Sequence, residues 1–388
     1  MISRQLSVAF ERIRRAYPIV YVSGPRQSGK TTFLTAQLPD FTYVNLENPD
    51  DREHVREDIR TFLAQTAPGG VVIDEAQRLP ELFSYLQDFV DRSGEMGQIV
   101  LSGSQNFLMM KGISQSLSGR VGLLNLFPFT WNELAAHAEA PSTVDEAIFR
   151  GCYPAIYDRS IAPPDFYPAY VQTYIERDVR NLQNIGDLST FGRFVELCAG
   201  RVGQILNYSS LASDLGIDHK TVKSWISLLE AGYIAFLLRP HHKNFNKRVI
   251  KSPKLYFYDT GLATSLLRIR KSDSLRSFHL RGNLFENYVV AEYVKLLHHE
   301  GIQPDAYFFR DSAGHEVDVI LDRGTHLIPV EIKSSATITG EFFRGLQTYQ
   351  ELSGASTTNS YLIYSGENSM IRKNARVLSW RQMAELLP

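Results

Sequence analysis

Residues Pro18–Thr32, PIVYVSGPRQSGKTT, decide the reading of this chain. Ile19, Val20, Tyr21 and Val22 form a short apolar run of the kind buried on both faces of a parallel sheet. Directly after it, Gly24, Pro25, Arg26, Gln27, Ser28, Gly29, Lys30 and Thr31 match G-x-x-x-x-G-K-[ST] at every fixed position. Glycines at both ends let the backbone turn tightly enough for its N–H groups to converge on phosphate oxygens. Lys30 brings a mobile positive charge toward β- and γ-phosphates, and the Thr31 hydroxyl can ligate Mg²⁺. The helix that starts near Lys30 and Thr32 turns the positive end of its dipole to the same anion. A Gly/Ser turn with a solvated lysine would need neither the strand before it nor the helix after it.

Working downstream, Gly69-Gly-Val-Val-Ile-Asp74-Glu75-Ala-Gln77 is an apolar strand that ends in two adjacent acids. In a phosphate-loop site, the first acid holds the Mg²⁺ shell and the second orients the attacking water. Those roles fall to Asp74 and Glu75. A further strand, Gln98–Leu101, runs into Ser102-Gly-Ser104-Gln105, where Ser104 or Gln105 is placed to reach the γ-phosphate or the water. Arg120 sits on a Gly turn before the apolar run Leu123–Phe127. It reads either as a structural arginine or as a group acting in trans on a neighbouring subunit's nucleotide.

These residues carry a resemblance. Gly24–Thr32, Val71–Gln77, Leu101–Gln105 and Leu117–Arg120, followed by Phe127-Pro-Phe-Thr-Trp-Asn-Glu133-Leu, are similar to the AAA_14 group of bacterial and archaeal AAA-family ATPases. The resemblance implies an AAA+-like fold, hydrolysis of ATP with Mg²⁺, and assembly into a homo-oligomer such as a ring.

The 388 residues are enough for two or three domains. Hydrophobic residues at 44% and charged residues at 21% are ordinary for a globular protein. A net charge of −1 means that any nucleic-acid partner must be met by a local patch. Two cysteines make no disulfide framework, and the arginine-dotted start lacks the apolar core of a secretory leader. No apolar run is long enough to span a membrane, so the expected location is the cytoplasm.

Residues 1–135 read as the ATPase domain and 136–188 as a helical lid or linker. In 189–270, two short helices surround Gly216, with Ser209 and Asp218 as candidate caps, and a strand at Tyr233–Leu238 pairs with Lys254–Tyr258. That is a winged helix-turn-helix. Between its strands, Arg239–Lys254 holds six Lys or Arg and no acid. The candidate DNA contacts are Lys220, Lys223, Lys243, Lys247, Arg248 and Lys251, acting on phosphates without regard to sequence. Winged helices also dock proteins, which leaves an ATP-controlled regulator or defence-type switch as the rival reading.

Residues 271–388 hold a second constellation. Glu286 lies near the start of an amphipathic helix, Asp318 on a hairpin strand, and Glu331-Ile-Lys333 on its partner. Two residues apart on a strand, Glu331 and Lys333 point to one side. Asp318 and Glu331 would share a divalent metal, with Glu286 entering from the helix, and Lys333 would activate a water. This order resembles the PD-(D/E)xK nuclease fold, specifically the DUF4143 domain that follows AAA_14 ATPases, with Val317 where the name has proline. The resemblance implies an α/β nuclease-like domain that acts on DNA, branched or junction DNA included, either by Mg²⁺-dependent cutting or as an inactive scaffold.

Overall fold

The computed structural model describes residues 2–104, 117–174, 187–241 and 251–388. Two compact units result. The first comprises Met1–Phe129 with Ala231–Tyr233 and His298–Ile302, and the second comprises the remainder.

In the first unit, helix α1 (Leu6–Ala16) leads to β1 (Ile19–Ser23), which turns into α2 (Lys30–Gln37). Strand β2 (Thr42–Asn45), helices α3 (Pro49–Glu57) and α4 (Ile59–Thr66), β3 (Val71–Asp74), α5 (Leu82–Ser93), β4 (Ile99–Gly103) and β5 (Val121–Asn125) follow. The sheet is parallel throughout, in the order β2-β3-β4-β1-β5. Ile19, Tyr21, Val71, Ile73, Ile99 and Leu101 face one hydrophobic cluster, shared with α3, α4 and α5. Val20, Val22, Val72, Val100 and Leu124 face the other, shared with α1 and α2. Both faces are therefore covered, which is why these strands are apolar without a break. The charged stretch from Pro49 to Thr66 divides into two helices, because the Asp58 carboxylate caps the second by accepting from Thr61 N at 3.0 Å. The apolar run that opens at Leu123 continues a strand that starts two residues earlier, where Val121 pairs with Ile19.

The second unit begins with short helices α6 (Trp131–Leu134), α7 (Val144–Arg150), α8 (Pro154–Asp158) and α9 (Pro163–Tyr170). Helices α10 (Leu188–Ala199), α11 (Tyr208–Leu215) and α12 (His219–Ala231) come next, with Gly216 in the left-handed region (φ 68°) ending α11. Strands β6 (Ala235–Leu238) and β7 (Lys254–Phe257) pair antiparallel, Leu238 opposite Lys254. The cap of α11 is Asn207, not Ser209: its side chain accepts from Ser210 N at 3.0 Å. Asp218 caps α12 as expected, accepting from Thr221 N at 3.0 Å.

After α13 (Thr260–Leu266) and the long α14 (Arg281–His299), a six-stranded mixed sheet forms from β8 (Ala306–Arg310), β9 (Glu316–Asp322), β10 (Leu327–Lys333), β11 (Tyr361–Tyr364), β12 (Met370–Ile371) and β13 (Arg376–Ser379). Its order is β12-β13-β11-β10-β9-β8, with β10, β11 and β13 parallel. Helix α15 (Arg344–Ser353) covers one face through Leu346 and Tyr349. Val289, Val290 and Tyr293 of α14 meet Val319, Leu321, Val330 and Ile332 on the other. Among the described residues, no helix is long and apolar enough to cross a membrane.

Candidate functional site

The C-terminal ends of β1, β3 and β4 lie side by side, because β4 pairs with both neighbours. In open parallel sheets this edge is where ligands bind. The loop after β1 is shaped for it. Gly24 has φ 153°, and a Cβ there would stand 2.1 Å from the Leu126 carbonyl oxygen. Gly29 (φ 90°) precedes α2. Pro25, Ser28 and Lys30 are buried, Arg26 is half-buried in an ion pair with Glu47 at 3.2 Å, and Gln27, Thr31 and Thr32 are exposed. The Lys30 ammonium donates to the Gly24 and Pro25 carbonyls, both at 2.9 Å. Burial pulls its pKa down to about 8, against the upward pull of Glu75 and Asp74.

The Thr31 hydroxyl donates to Asp74 Oδ2 at 2.9 Å, and Asp74 also accepts from the Tyr43 and Ser102 hydroxyls. A hydroxyl and a buried carboxylate side by side are hard oxygen donors that suit Mg²⁺. Glu75 sits in the left-handed region (φ 54°), a strained position that aims its side chain off the strand end. It accepts from Gln77 Nε2 at 2.5 Å and from the Ser104 hydroxyl at 3.3 Å. Burial pushes its pKa up, opposed by Lys30 and reinforced by Asp74.

The expected residues of the nucleotide site thus converge, Ser104 among them, whereas Gln105 lies outside the described residues. Arg120 forms a two-pronged ion pair with Asp91, at 2.6 and 2.8 Å. Sequence reasoning missed Arg4, Tyr43, Gln77 and Ser102. Arg4 is buried beneath the loop and donates to the Ser28 carbonyl at 2.9 Å and the Phe127 carbonyl at 2.5 Å. The only signal for it was an arginine ahead of an apolar helix face.

In the second unit, Lys220 and Lys223 are exposed on α12, and so is Lys251 before β7; Lys243, Lys247 and Arg248 lie outside the described residues. A groove of about 470 Å³ is lined by Lys223, Arg239 and Lys251 with Tyr208, Tyr307 and Glu230 among its walls.

Glu286, Asp318, Glu331 and Lys333 also come together. Glu331 follows the Val330–Val319 pair and so stands opposite Asp318, which accepts from Ile332 N at 2.7 Å. Lys333 pairs with Glu331 and lies 3.8 Å from Asp318. Lys254, counted from sequence in the basic run of the wing, corrects that count: it is 2% exposed and turned into the acids. Its ammonium lies 2.8 Å from Glu286, 2.6 Å from Glu316 and 4.0 Å from Asp318. The acids therefore already hold a cation, and they do not fit a divalent metal as they stand. Among the described residues, no group of three or more His, Cys, Asp or Glu is arranged to hold one.

A phosphate loop opening a helix, an acid pair on the next strand but one, and a parallel sheet closed by α-helices define a P-loop ATPase of the AAA type. Family comparison agrees: residues 16–135 match the AAA domain family AAA_14, residues 281–383 the domain of unknown function DUF4143, and residues 142–273 the domain of unknown function DUF8612. Uncharacterised proteins of Mycobacterium bovis and Mycobacterium tuberculosis are each 30% identical over 341 residues, covering 85% of this chain and 74% of theirs. The chain belongs to the AAA_14/DUF4143 family of ATPases. Among solved structures it is similar to a Walker-type ATPase of Pyrococcus abyssi, at 14% identity and TM-score 0.47, over 69% of this chain and 96% of that one. It is also similar to the RuvB Holliday junction branch migration motor of Thermotoga maritima, at 20% identity and TM-score 0.31, over 61% and 87%.

Proposed function

We propose that the chain is an ATP-hydrolysing machine that acts on DNA through its second unit. The observation that carries the ATPase half is the pair Lys30 and Glu75, a buried cation and a half-buried carboxylate on a strained backbone position at one sheet edge. Lys30 and the loop amides bind the β- and γ-phosphates. Thr31 and Asp74 would hold Mg²⁺, which, when bound, neutralises charge on the phosphates. Glu75 takes up the proton of the attacking water, with Gln77 and Ser104 orienting its carboxylate. Arg120 acts on a neighbouring subunit's nucleotide in a homo-oligomer.

The DNA half is supported by the groove in which Lys223, Arg239 and Lys251 meet Tyr208 and Tyr307. Cations track a phosphate backbone, and aromatic rings offer faces to unpaired bases. In this reading α11, α12, β6 and β7 are a winged helix-turn-helix, and the mixed sheet with α14 is a nuclease-like domain. Binding of a labelled junction DNA, measured across a salt series, tests it. Lys223→Glu with Lys251→Glu is expected to weaken binding at least tenfold and to reduce the slope of log affinity against log salt by about 2. Unchanged affinity and slope would overturn the DNA reading and favour a protein partner.

A further inference from the structure

We propose that Lys254 stands in for the divalent cation in the nuclease-like acid cluster, so that this site is closed to metal and the domain does not cut DNA. The inference rests on the nuclease-like reading of that domain and says which of its two outcomes holds.

The geometry is that of an internal counter-ion. Lys254 is the first residue of β7, and its side chain is 3% exposed. The Glu286 carboxylate, besides Lys254, accepts from the Tyr256 hydroxyl at 2.5 Å. Glu316 divides its two oxygens between Lys254 and Arg310, the latter at 3.2 Å. Phe308 closes one side, its ring centre 5.5 Å from the ammonium. Four acids (Glu286, Glu316, Asp318, Glu331) are thus met by three cations (Lys254, Lys333, Arg310).

A divalent ion would have to displace this arrangement. Mg²⁺ takes six oxygen ligands at 2.0–2.1 Å and sheds water reluctantly. It would also have to occupy space within hydrogen-bond reach of a buried ammonium, with two like charges separated by protein rather than by water. Glu331 Oε2 is buried without a hydrogen-bond partner among the described residues. One oxygen is far short of a coordination shell, and Lys333 sits on the same carboxylate.

The lysine also explains a feature of its own strand. Burial works against the charge of Lys254, but Tyr256, Glu286, Asp318 and Glu316 outweigh it and hold its pKa well above the ordinary lysine value. A buried ammonium of this kind serves no phosphate in solvent, so the last base of the wing anchors β7 to the acids.

The test is Mn²⁺ stoichiometry on the full chain, read from free Mn²⁺ by electron paramagnetic resonance, without nucleotide. Wild type and the isosteric Asp318→Asn are expected to bind the same number of ions. Loss of one ion, or of plasmid nicking, in Asp318→Asn relative to wild type would overturn the inference. Lys254→Met is expected to gain one Mn²⁺, and Lys254→Met with Glu331→Gln to lose it again. A folded Lys254→Met that gains none would also overturn it. If Lys254→Met fails to fold, the comparison of wild type with Asp318→Asn decides alone. DNA affinity measured on the Lys223 and Lys251 variants is a separate readout, so its failure and a failure here are distinguishable.

Discussion

Replacing Glu75 with glutamine removes a proton acceptor while keeping shape. A glutamine side chain still offers one oxygen to both Gln77 Nε2 and the Ser104 hydroxyl, the two donors that meet Glu75 Oε2 at 2.5 and 3.3 Å. Lys30, Thr31 and Asp74 keep their contacts, so nucleotide affinity is expected to stay within about threefold of wild type. Turnover is another matter. A positioned general base is worth roughly 10²–10⁴ in rate, or about 3–5 kcal/mol of barrier. Burial raises the Glu75 pKa, so wild-type turnover is expected to fall on acidification from a pH above the ordinary carboxylate range, as the base becomes protonated. The variant lacks that titration and loses the acidic limb. Phosphate release measured from pH 5 to 9, alongside fluorescent-nucleotide binding, reads both effects. Hydrolysis by Glu75→Gln within threefold of wild type, or an unaltered acidic limb, would refute the assignment of Glu75 as the base.

Two further outcomes follow from particular contacts. His298 accepts from Asn125 at 3.2 Å, packs on Phe127, and is driven by burial down to about 4. Because the unfolded chain takes up that proton near pH 6.5 and the folded one only near 4, stability contributed here is full above 6.5 and falls as pH drops through the window, by roughly 3 kcal/mol in all. Denaturant unfolding of wild type and His298→Gln at pH 7 and 5 should show the variant losing less on acidification, and equal losses would contradict it. Arg120 and Asp91 pair at an exposed site. Arg120→Ala is therefore expected to leave the melting temperature unchanged while lowering hydrolysis by about 10³, with rescue when mixed with a Lys30→Ala partner; a rate near wild type would remove Arg120 from the chemistry.

How much of this was legible in the sequence depended on how far apart the partners lie along the chain. Strand, loop and helix from Ile19 to Gln37 are consecutive, so spacing alone located Lys30 and Thr31. Asp74 and Glu75 announced themselves by ending an apolar run. Arg4, Tyr43 and Ser102 reach the site from 24, 31 and 28 residues away in sequence from the groups they touch, and nothing local marks them. Lys254 was misread for a related reason. Charge is visible in a sequence, but burial is not, and its partner Glu286 is 32 positions on. The α11 cap went to Asn207 rather than Ser209 because both are good caps, and only the backbone turning extended at Asn207 (φ −109°) chooses.

Two of the buried lysines, Lys254 and Lys30, make opposite use of the same side chain, and the contrast yields a last prediction. Lys254 is surrounded by carboxylates and is held charged. Lys30 is bonded to neutral carbonyls, with burial dominant, and so sits at about 8. An arriving triphosphate brings negative charge to Lys30 and favours its protonated form. Below pH 8 the lysine is already charged, so nucleotide affinity there is flat with respect to this group. Above it, binding must draw a proton from solvent, and affinity is expected to fall by about fivefold between pH 8 and 9. Titration calorimetry at pH 8.5 in two buffers of different ionisation enthalpy counts the proton directly. Identical heats in the two buffers would mean that Lys30 keeps its charge without the nucleotide, and that the acids nearby, rather than burial, govern it.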